Sequence, residues 1–233
     1  MRPTSMTRIL LAATLLATAC LPAAAQYSAP PNTGNTFKDT SPLKPPAGAK
    51  IAIIKFEDLE CPACSHAYPI VHSAAERYKI PVVRYDFPLK MHIWSRDAAI
   101  TARYLQDKVS PQVADEFRGA VFAAQQSIAS KEDLANFTRR FFQSHKLNEP
   151  FVIDPAGRFN AEVNADYTLG ERIGITQTPT VWVVTQKTWV QVTDMSQLYT
   201  TIDNLESQVA ASTPGKTATS ANSKLRHASG TQK

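Results

Sequence analysis

The chain has 233 residues and a formal net charge of +5, with 43% hydrophobic and 19% charged residues. The positive excess does not indicate a nucleic-acid or membrane-surface partner, because six cations lie in the two terminal segments and the part between them is nearly neutral. Only three cysteines are present, which excludes a small domain built on a disulfide framework, and the central part is long enough to bury a core.

Residues 1–25 have the pattern of a signal peptide. Two arginines precede an apolar run, and Ala23-Ala24-Ala25 matches an A-x-A cleavage site. The run is too short to span a bilayer comfortably. We therefore expect a periplasmic or secreted protein, cleaved near Ala25 and without Cys20. Acylation of Cys20, giving a membrane lipoprotein, is the alternative, although the preceding residues only partly match a lipoprotein box.

Two further segments lack the pattern of a folded domain. Residues 26–49 are rich in Pro, Ser, Thr and Asn, which predicts an extended, mobile leader. Residues 207–233 have almost no large apolar side chains, which predicts a disordered basic tail. The folded domain is therefore predicted over residues 50–206.

This domain begins with an apolar run, residues 51–56, that predicts a buried strand. A helix is predicted from Cys61 to Tyr78, with Pro69 kinking it, and residues 82–85 predict a second strand. A strand, a helix and a strand in this order imply a parallel pair with a right-handed crossover.

Cys61-Pro62-Ala63-Cys64 lies at the junction between the first strand and the helix. Two thiols at this spacing can form a disulfide and open it again. A helix N-terminus favours the thiolate, which is the form that attacks disulfides. The motif therefore indicates a redox site, with Cys61 as the exposed nucleophile and Cys64 as the thiol that resolves the mixed disulfide.

Helical patterns continue over residues 95–145, with Ser110 and Ser130 as predicted N-caps. Another helix is predicted to start at Asp154-Pro155 and to end near Gly170 or Gly174.

The last part of the domain predicts a hairpin and a closing helix. The hairpin strands are residues 180–184 and 188–192, joined by a turn without Gly or Asn, and the helix covers residues 195–205.

Four features in register resemble the DsbA-like branch of the thioredoxin superfamily. They are the Cys61-Pro62-Ala63-Cys64 motif after a strand and a short acidic loop, Pro69 in the next helix, Phe87-Pro88-Leu89 with His92, and the Gly174 to Thr180 segment before a strand. The resemblance spans about residues 50–206. It implies an α/β thioredoxin fold with a helical insertion, at about residues 93–173, between the second and third core strands.

The resemblance also implies a function. Thr178 and Pro179 would form a cis-proline loop that pairs with an extended substrate beside Cys61. The chain would exchange a Cys61-Cys64 disulfide with reduced or unfolded exported proteins, as a disulfide donor, and a membrane-embedded redox partner would reoxidise it. No cofactor, metal or nucleic acid is expected, and the protein is expected to be a monomer.

Two departures from the family pattern concern redox tuning. Lys55 stands where much of the family has a buried acid; it is interpreted either as a surface lysine at a strand end or as a cation acting on Cys64. Pro62 and Ala63 provide no histidine between the cysteines, and the Glu60 carboxylate opposes a thiolate. We expect a couple less oxidising than the strongest family members but more oxidising than cytosolic thioredoxin.

Several alternatives stay open from the sequence. The same fold can serve an isomerase or a reductase, and a thioredoxin-like module can bind peptides or metal without turnover. His66 and His72 lie near the cysteines, but helical spacing turns His66 away from Cys64, so both are interpreted as surface residues. His92 and His145 are assigned structural roles. The aromatic residues are interpreted as core in preference to a peptide groove; they are Trp182, Trp189, Phe137, Phe141 and Phe142.

Overall fold

A computed structural model describes residues 37–212, which form a four-stranded sheet flanked by helices. The predicted signal peptide and most of the predicted tail lie outside the described residues. Within residues 37–212, no helix is long and apolar enough to cross a membrane. The elements in chain order are β1 (Ile51–Glu57), α1 (Pro62–Tyr78), β2 (Val82–Asp86), α2 (Ser95–Lys108), α3 (Pro111–Ala124), α4 (Lys131–Ser144), α5 (Arg158–Ile173), β3 (Thr180–Thr185), β4 (Trp189–Gln191) and α6 (Leu198–Ser212).

The sheet has the strand order β2-β1-β3-β4. β1 runs parallel to β2 and antiparallel to β3, and β3 pairs antiparallel with β4. β1 and β3 are buried along their whole length, because helices or the N-terminal segment cover both faces of the sheet. The predicted α/β class is confirmed, and α2 to α5 lie between β2 and β3, where the sequence predicts the insertion.

Alternate residues of β1 point to opposite faces of the sheet. Ile51 and Ile53 pack with the apolar sides of α1 and α6, whereas Ile54 and Phe56 pack with Trp182 and residues around α5. A third cluster fills the helical insertion and includes both cysteines. The insertion therefore packs directly against the motif.

The predicted helix caps are confirmed at Ser110 and Ser130. Their hydroxyls accept hydrogen bonds from the backbone N–H groups of Val113 and Asp133, each at 3.1 Å. The start of α5 differs from the prediction, because Asp154 begins a turn and the helix starts at Arg158. The Asp154 carboxylate still accepts from a backbone N–H of that helix, at 2.8 Å.

The boundaries of the domain are wider than predicted. Phe37 packs edge-on against Trp182 and Trp189, with ring centroids 5.1 and 5.9 Å apart, and Leu43 is 2% exposed. The described half of the predicted leader, residues 37–49, therefore covers one face of the sheet. At the other end α6 continues to Ser212, beyond residue 207, where the tail was predicted to begin.

Candidate active site

The Cys61-Pro62-Ala63-Cys64 motif forms the first turn of α1, directly after β1 and a short loop. Cys61 is the N-cap, and Pro62 opens the helix, where its missing N–H has no cost. The backbone N–H groups of Cys64 and Ser65 donate to the Cys61 carbonyl oxygen at 3.0 and 3.1 Å. Both sulfurs therefore lie at the positive end of the α1 dipole.

Both cysteines are buried, and no disulfide joins their sulfurs. Cys61 is 6% exposed, although the sequence predicted an exposed nucleophile, and Cys64 is 2% exposed. Pro62 is the exposed residue of the motif, and Ala63 packs on the insertion cluster. Cys61 is covered because the motif is packed on one side by the insertion and on another by the loop before β3.

The two thiols have opposite pKa shifts. A hydrogen bond with the Cys64 thiol is the largest cause that lowers the pKa of Cys61, to about 6, while burial acts in the other direction. Burial raises the pKa of Cys64 well above its usual value, and the adjacent Cys61 raises it further. Near neutral pH the pair therefore consists of a Cys61 thiolate that accepts a hydrogen bond from a Cys64 thiol.

The loop before β3 lies against Cys61. The Thr178–Pro179 peptide bond is cis, Thr178 is 6% exposed, and its carbonyl oxygen lies 3.3 Å from the Cys61 Sγ. The structure thus brings together the two regions that the sequence placed at the site, although they are more than a hundred residues apart in the chain.

Glu60 has a structural partner that the sequence did not indicate. Its Oε2 accepts hydrogen bonds from the backbone N–H groups of Trp94 and Ser95, at 2.7 and 2.9 Å, where α2 begins. A carboxylate at a helix N-terminus is stabilised by the unpaired N–H groups and by the dipole. Glu60 therefore caps α2 from the loop between β1 and α1.

Lys55 is buried, so the surface interpretation is wrong. It is 4% exposed, its Nζ lies 2.5 Å from the Glu57 Oε2, and it also lies 5.2 Å from the centre of the Tyr68 ring. Burial lowers the pKa of Lys55 overall, although the charges of Glu57 and Cys64 act in the opposite direction. Lys55 is thus a buried, paired cation within electrostatic reach of Cys64.

Lys55 belongs to a buried charge network that reasoning from the sequence missed. Arg118 is 1% exposed and donates to Asp86 at 2.7 and 3.1 Å and to Glu57 at 3.2 Å. Arg84 Nε lies 2.8 Å from the Glu57 Oε1. The buried charge network comprises Lys55, Glu57, Arg84, Asp86, Arg103 and Arg118. Charged residues at alternate positions in and directly after the two predicted strands, the first of which was predicted to be buried, were the available signal.

Burial and ion pairing oppose each other at the Glu57 carboxyl group. Burial raises its pKa, but the combined charges of Lys55, Arg84 and Arg118 lower the pKa overall. Glu57 is therefore ionised, and its negative charge is one of the influences that raise the pKa of Cys64.

The helical insertion also holds the motif in place. Gln125, in the 3-10 turn after α3, donates through Nε2 to the carbonyl oxygens of Leu59 and Cys61 at 2.8 and 3.1 Å. Next to it is an open groove of about 900 Å³. The groove is lined by residues in and around the motif and by residues of the insertion, among them Glu60, Pro62, His66, Gln126 and Ile128.

The remaining candidate residues have the following positions. Trp182, Phe141 and Phe142 are buried, as expected of core residues, while Trp189 and Phe137 are half-buried. His66 is exposed on α1. Among residues 37–212, no group of three or more His, Cys, Asp or Glu side chains converges as metal ligands would.

Comparisons with known proteins agree with this fold. A family model described as thioredoxin matches residues 46–204. Alpha-DsbA1 from Wolbachia pipientis superposes with a TM-score of 0.58 at 18% identity, over 72% of this chain and 92% of that one. DsbA2 from Pseudomonas aeruginosa gives 0.55 at 19% identity, over 73% and 94%. ScsC from Proteus mirabilis, in a transitional conformation, gives 0.54 at 17% identity, over 70% and 71%. No curated protein matches the chain.

Proposed function

Since the chain belongs to the thioredoxin family and has the fold of DsbA-type proteins, we propose that it is an exported thiol:disulfide oxidoreductase that donates its Cys61-Cys64 disulfide to other exported proteins. The observation that carries this proposal is the different placement of the two thiols. Cys61 is the N-cap of α1 and lies 3.3 Å from the Thr178 carbonyl oxygen, whereas Cys64 is buried behind it, so that the pKa of Cys61 is lowered to about 6 and that of Cys64 is raised. A stabilised Cys61 thiolate stabilises the reduced form of the protein, which makes the oxidised form a better disulfide donor.

Donation proceeds in two exchange steps. A substrate thiolate attacks the Cys61 sulfur, the Cys61–Cys64 bond breaks, and Cys64 leaves as a thiolate that takes up a proton. A second substrate thiolate then attacks the substrate sulfur of the mixed disulfide, and Cys61 leaves as a thiolate. The substrate loses two electrons and the protein gains them. The low pKa of Cys61 makes it the better leaving group in the second step.

Lys55 has a proposed role in the first of these steps. When Cys64 leaves as a thiolate, a negative charge appears in a buried site beside the Lys55–Glu57 pair. The Lys55 cation is the member of that pair whose charge stabilises the leaving thiolate. Pro62 and Ala63 tune the couple by bringing no charge of their own between the cysteines.

Reduced or unfolded exported proteins are the proposed substrates. A peptide joined to Cys61 lies beside the Thr178 carbonyl, which is 3.3 Å from the sulfur and offers a main-chain acceptor to an extended strand. Met91 and Ile93, on the loop between β2 and α2, are 78% and 56% exposed. Exposed apolar side chains near a site suit the apolar segments of chains that have not yet folded.

The proposed compartment is the periplasm or the medium outside the cell, reached through the signal peptide at residues 1–25. Structural disulfides form and persist in such oxidising compartments. Each donation leaves the protein with two thiols, so a membrane-embedded redox partner is proposed to restore the disulfide. We propose that the protein acts as a monomer without a cofactor.

The redox potential in equilibrium with glutathione tests this proposal. We expect a potential above about −270 mV, the value of thioredoxin, and below about −120 mV, the value of DsbA. A potential at or below that of thioredoxin would contradict the donor role and indicate a reductase. Stoichiometric retention of Zn(II) or Cu(I) by the reduced protein would instead favour a metal-binding module.

A further inference from the structure

His92 lies outside the Cys61-Cys64 motif but contacts the loop that precedes it. Its Nδ1 is 2.7 Å from Oδ2 of Asp58, and the two side chains are 17% and 0% exposed. The same Asp58 oxygen accepts from the Leu89 N–H at 2.6 Å, and the other accepts from the Glu60 N–H at 2.7 Å. Asp58 is therefore a fixed, buried carboxylate with an imidazole as its partner.

Asp58 is also in contact with the redox site. Its backbone N–H donates to Sγ of Cys64 at 3.4 Å, so the residue lies directly against the motif. A buried carboxylate at this place opposes a second negative charge on Cys61. Among residues 37–212, His92 is the basic side chain that forms an ion pair with Asp58.

We propose that His92, as an imidazolium paired with Asp58, is a positioning residue that cancels the negative charge beside Cys61 and thereby favours the Cys61 thiolate. His92 supplies from the loop between β2 and α2 a positive charge that Pro62 and Ala63 do not supply from within the motif. The inference rests on the proposed function, because it concerns the same disulfide exchange. It assigns to His92 an effect on the redox couple, whereas the sequence pattern indicated a structural role for this residue.

Three groups face His92 with negative charge. The hydrogen bond to Asp58 is the largest cause that raises the pKa of His92, partial burial lowers it, and the charges of Asp58, Glu60 and Cys61 raise it. Glu60 is held at the start of α2 by two backbone N–H groups, whereas the charge on Cys61 disappears when the disulfide forms. By linkage, the pKa of His92 must therefore be higher in the reduced protein than in the oxidised protein.

The first test compares His92→Gln with His145→Gln. The control removes a histidine that also faces a carboxylate, Glu116 at 3.3 Å, but His145 lies at the end of α4 and Glu116 lies on α3, within the insertion. We expect His92→Gln to raise the Cys61 pKa, measured from the pH dependence of alkylation. The equilibrium with glutathione should shift toward the oxidised form by up to tenfold, which corresponds to about 30 mV. His145→Gln should change neither value.

The double variant separates an electrostatic role from a structural one. In an Asp58→Asn background, His92→Gln should leave the Cys61 pKa unchanged, because the charge that His92 cancels is gone. An equal effect of His92→Gln in both backgrounds, or no effect in the wild type, would overturn the proposal.

A measurement on the wild-type protein covers the case in which the variants do not fold. NMR titration should give a higher pKa for His92 in the reduced form than in the oxidised form. Equal His92 pKa values would overturn the inference. Failure of the wild-type protein to exchange its disulfide with glutathione would instead contradict the proposed function.

Discussion

The surroundings of Cys61 and of Cys64 differ, although the two residues share the first turn of α1. Cys61 faces the Thr178 carbonyl and the exposed end of the motif, whereas Cys64 faces the Asp58 backbone and the Lys55–Glu57 pair. The helix dipole acts on both thiols and cannot by itself separate their pKa values. Complete burial of Cys64, and the hydrogen bond that it gives to Cys61, make the difference.

The largest effect should come from replacing each cysteine by serine in turn. Cys61→Ser should abolish disulfide exchange, because the remaining thiol is buried and its pKa is raised. Cys64→Ser should still attack a disulfide through Cys61, and the mixed disulfide should accumulate because nothing resolves it. Mass spectrometry of each variant incubated with oxidised glutathione measures this, and an adduct on Cys64 of the Cys61→Ser variant would reverse the proposed roles.

Removing Arg118 tests whether the Cys64 side also stabilises the fold. Arg118→Met leaves buried Asp86 without its buried cation and removes one of the three cations around Glu57, so the free energy of unfolding in urea should fall by about 3–5 kcal/mol. The control Arg139→Met removes an exposed cation 3.8 Å from Glu149 and should cost less than about 1 kcal/mol. Equal losses in both variants would mean that Arg118 contributes no more to stability than an exposed cation does.

The pH dependence of the reduced protein tests the lowered pKa of Cys61. Alkylation of Cys61 should rise through a midpoint of about 6. Because this pKa is below the value of about 8.5 for an unperturbed thiol, the thiolate stabilises the folded state most above pH 8.5. That contribution is lost as the pH falls through 6. Relative to Cys61→Ala, the free energy of unfolding should increase by at most about 1.4 kcal/mol per pH unit in this window. A parallel pH profile for the two proteins would contradict the lowered pKa.

Replacing Lys55 should change the properties of Cys64 without changing those of Cys61. Lys55→Met should raise the Cys64 pKa and slow the attack of Cys64 on a mixed disulfide by up to about tenfold, because less of the thiol is ionised. The Cys61 pKa should stay the same, because Lys55 is not among the main influences on it. Stopped-flow measurement of resolution checks this, with Lys50→Met, an exposed lysine before β1, as control. A change in the Cys61 pKa, with the Cys64 pKa unchanged, would mean that Lys55 acts on Cys61 and not on Cys64.

The smallest effect is expected at Glu60. Glu60→Gln keeps an oxygen that can accept from α2 but removes the charge that favours the helix start, which should cost about 0.5–1 kcal/mol of stability. The Cys61 pKa should shift less than in His92→Gln. A shift of the Cys61 pKa as large as in His92→Gln, with no loss of stability, would support the redox-tuning role that the sequence indicated for Glu60.

The sequence predicted the parts of this molecule that follow from local patterns. The run 51–56 is apolar enough to predict a buried strand, residues 180–184 have the pattern of a hairpin strand, and Ser110 and Ser130 have cap signatures. Burial of Cys61 was not predictable, because it depends on how the insertion and the Thr178 loop pack against the motif. The partners of Glu60 and His92 arise from contacts over more than thirty residues, for which the sequence has no periodic signal.

The charged residues of β1 and β2 show a second limit of prediction from the sequence. A strand pattern predicts which side chains share a face, but not whether that face meets water or other charges. Lys55 could be either a surface lysine or an inner one until Glu57 and Tyr68 were located beside it. Arg118 comes from α3 and completes the network from outside the sheet.

The packing of residues 37–49 on the sheet affects the order in which the domain can be completed. Phe37 and Leu43 are synthesised before every strand, but the aromatic surface that Phe37 contacts is provided by Trp182 and Trp189 near the other end of the domain. Contacts of such long sequence separation form late, and until then both apolar surfaces are accessible to other molecules. A chain that emerges from its N-terminus first must therefore keep this segment unpaired until almost the whole domain has followed it.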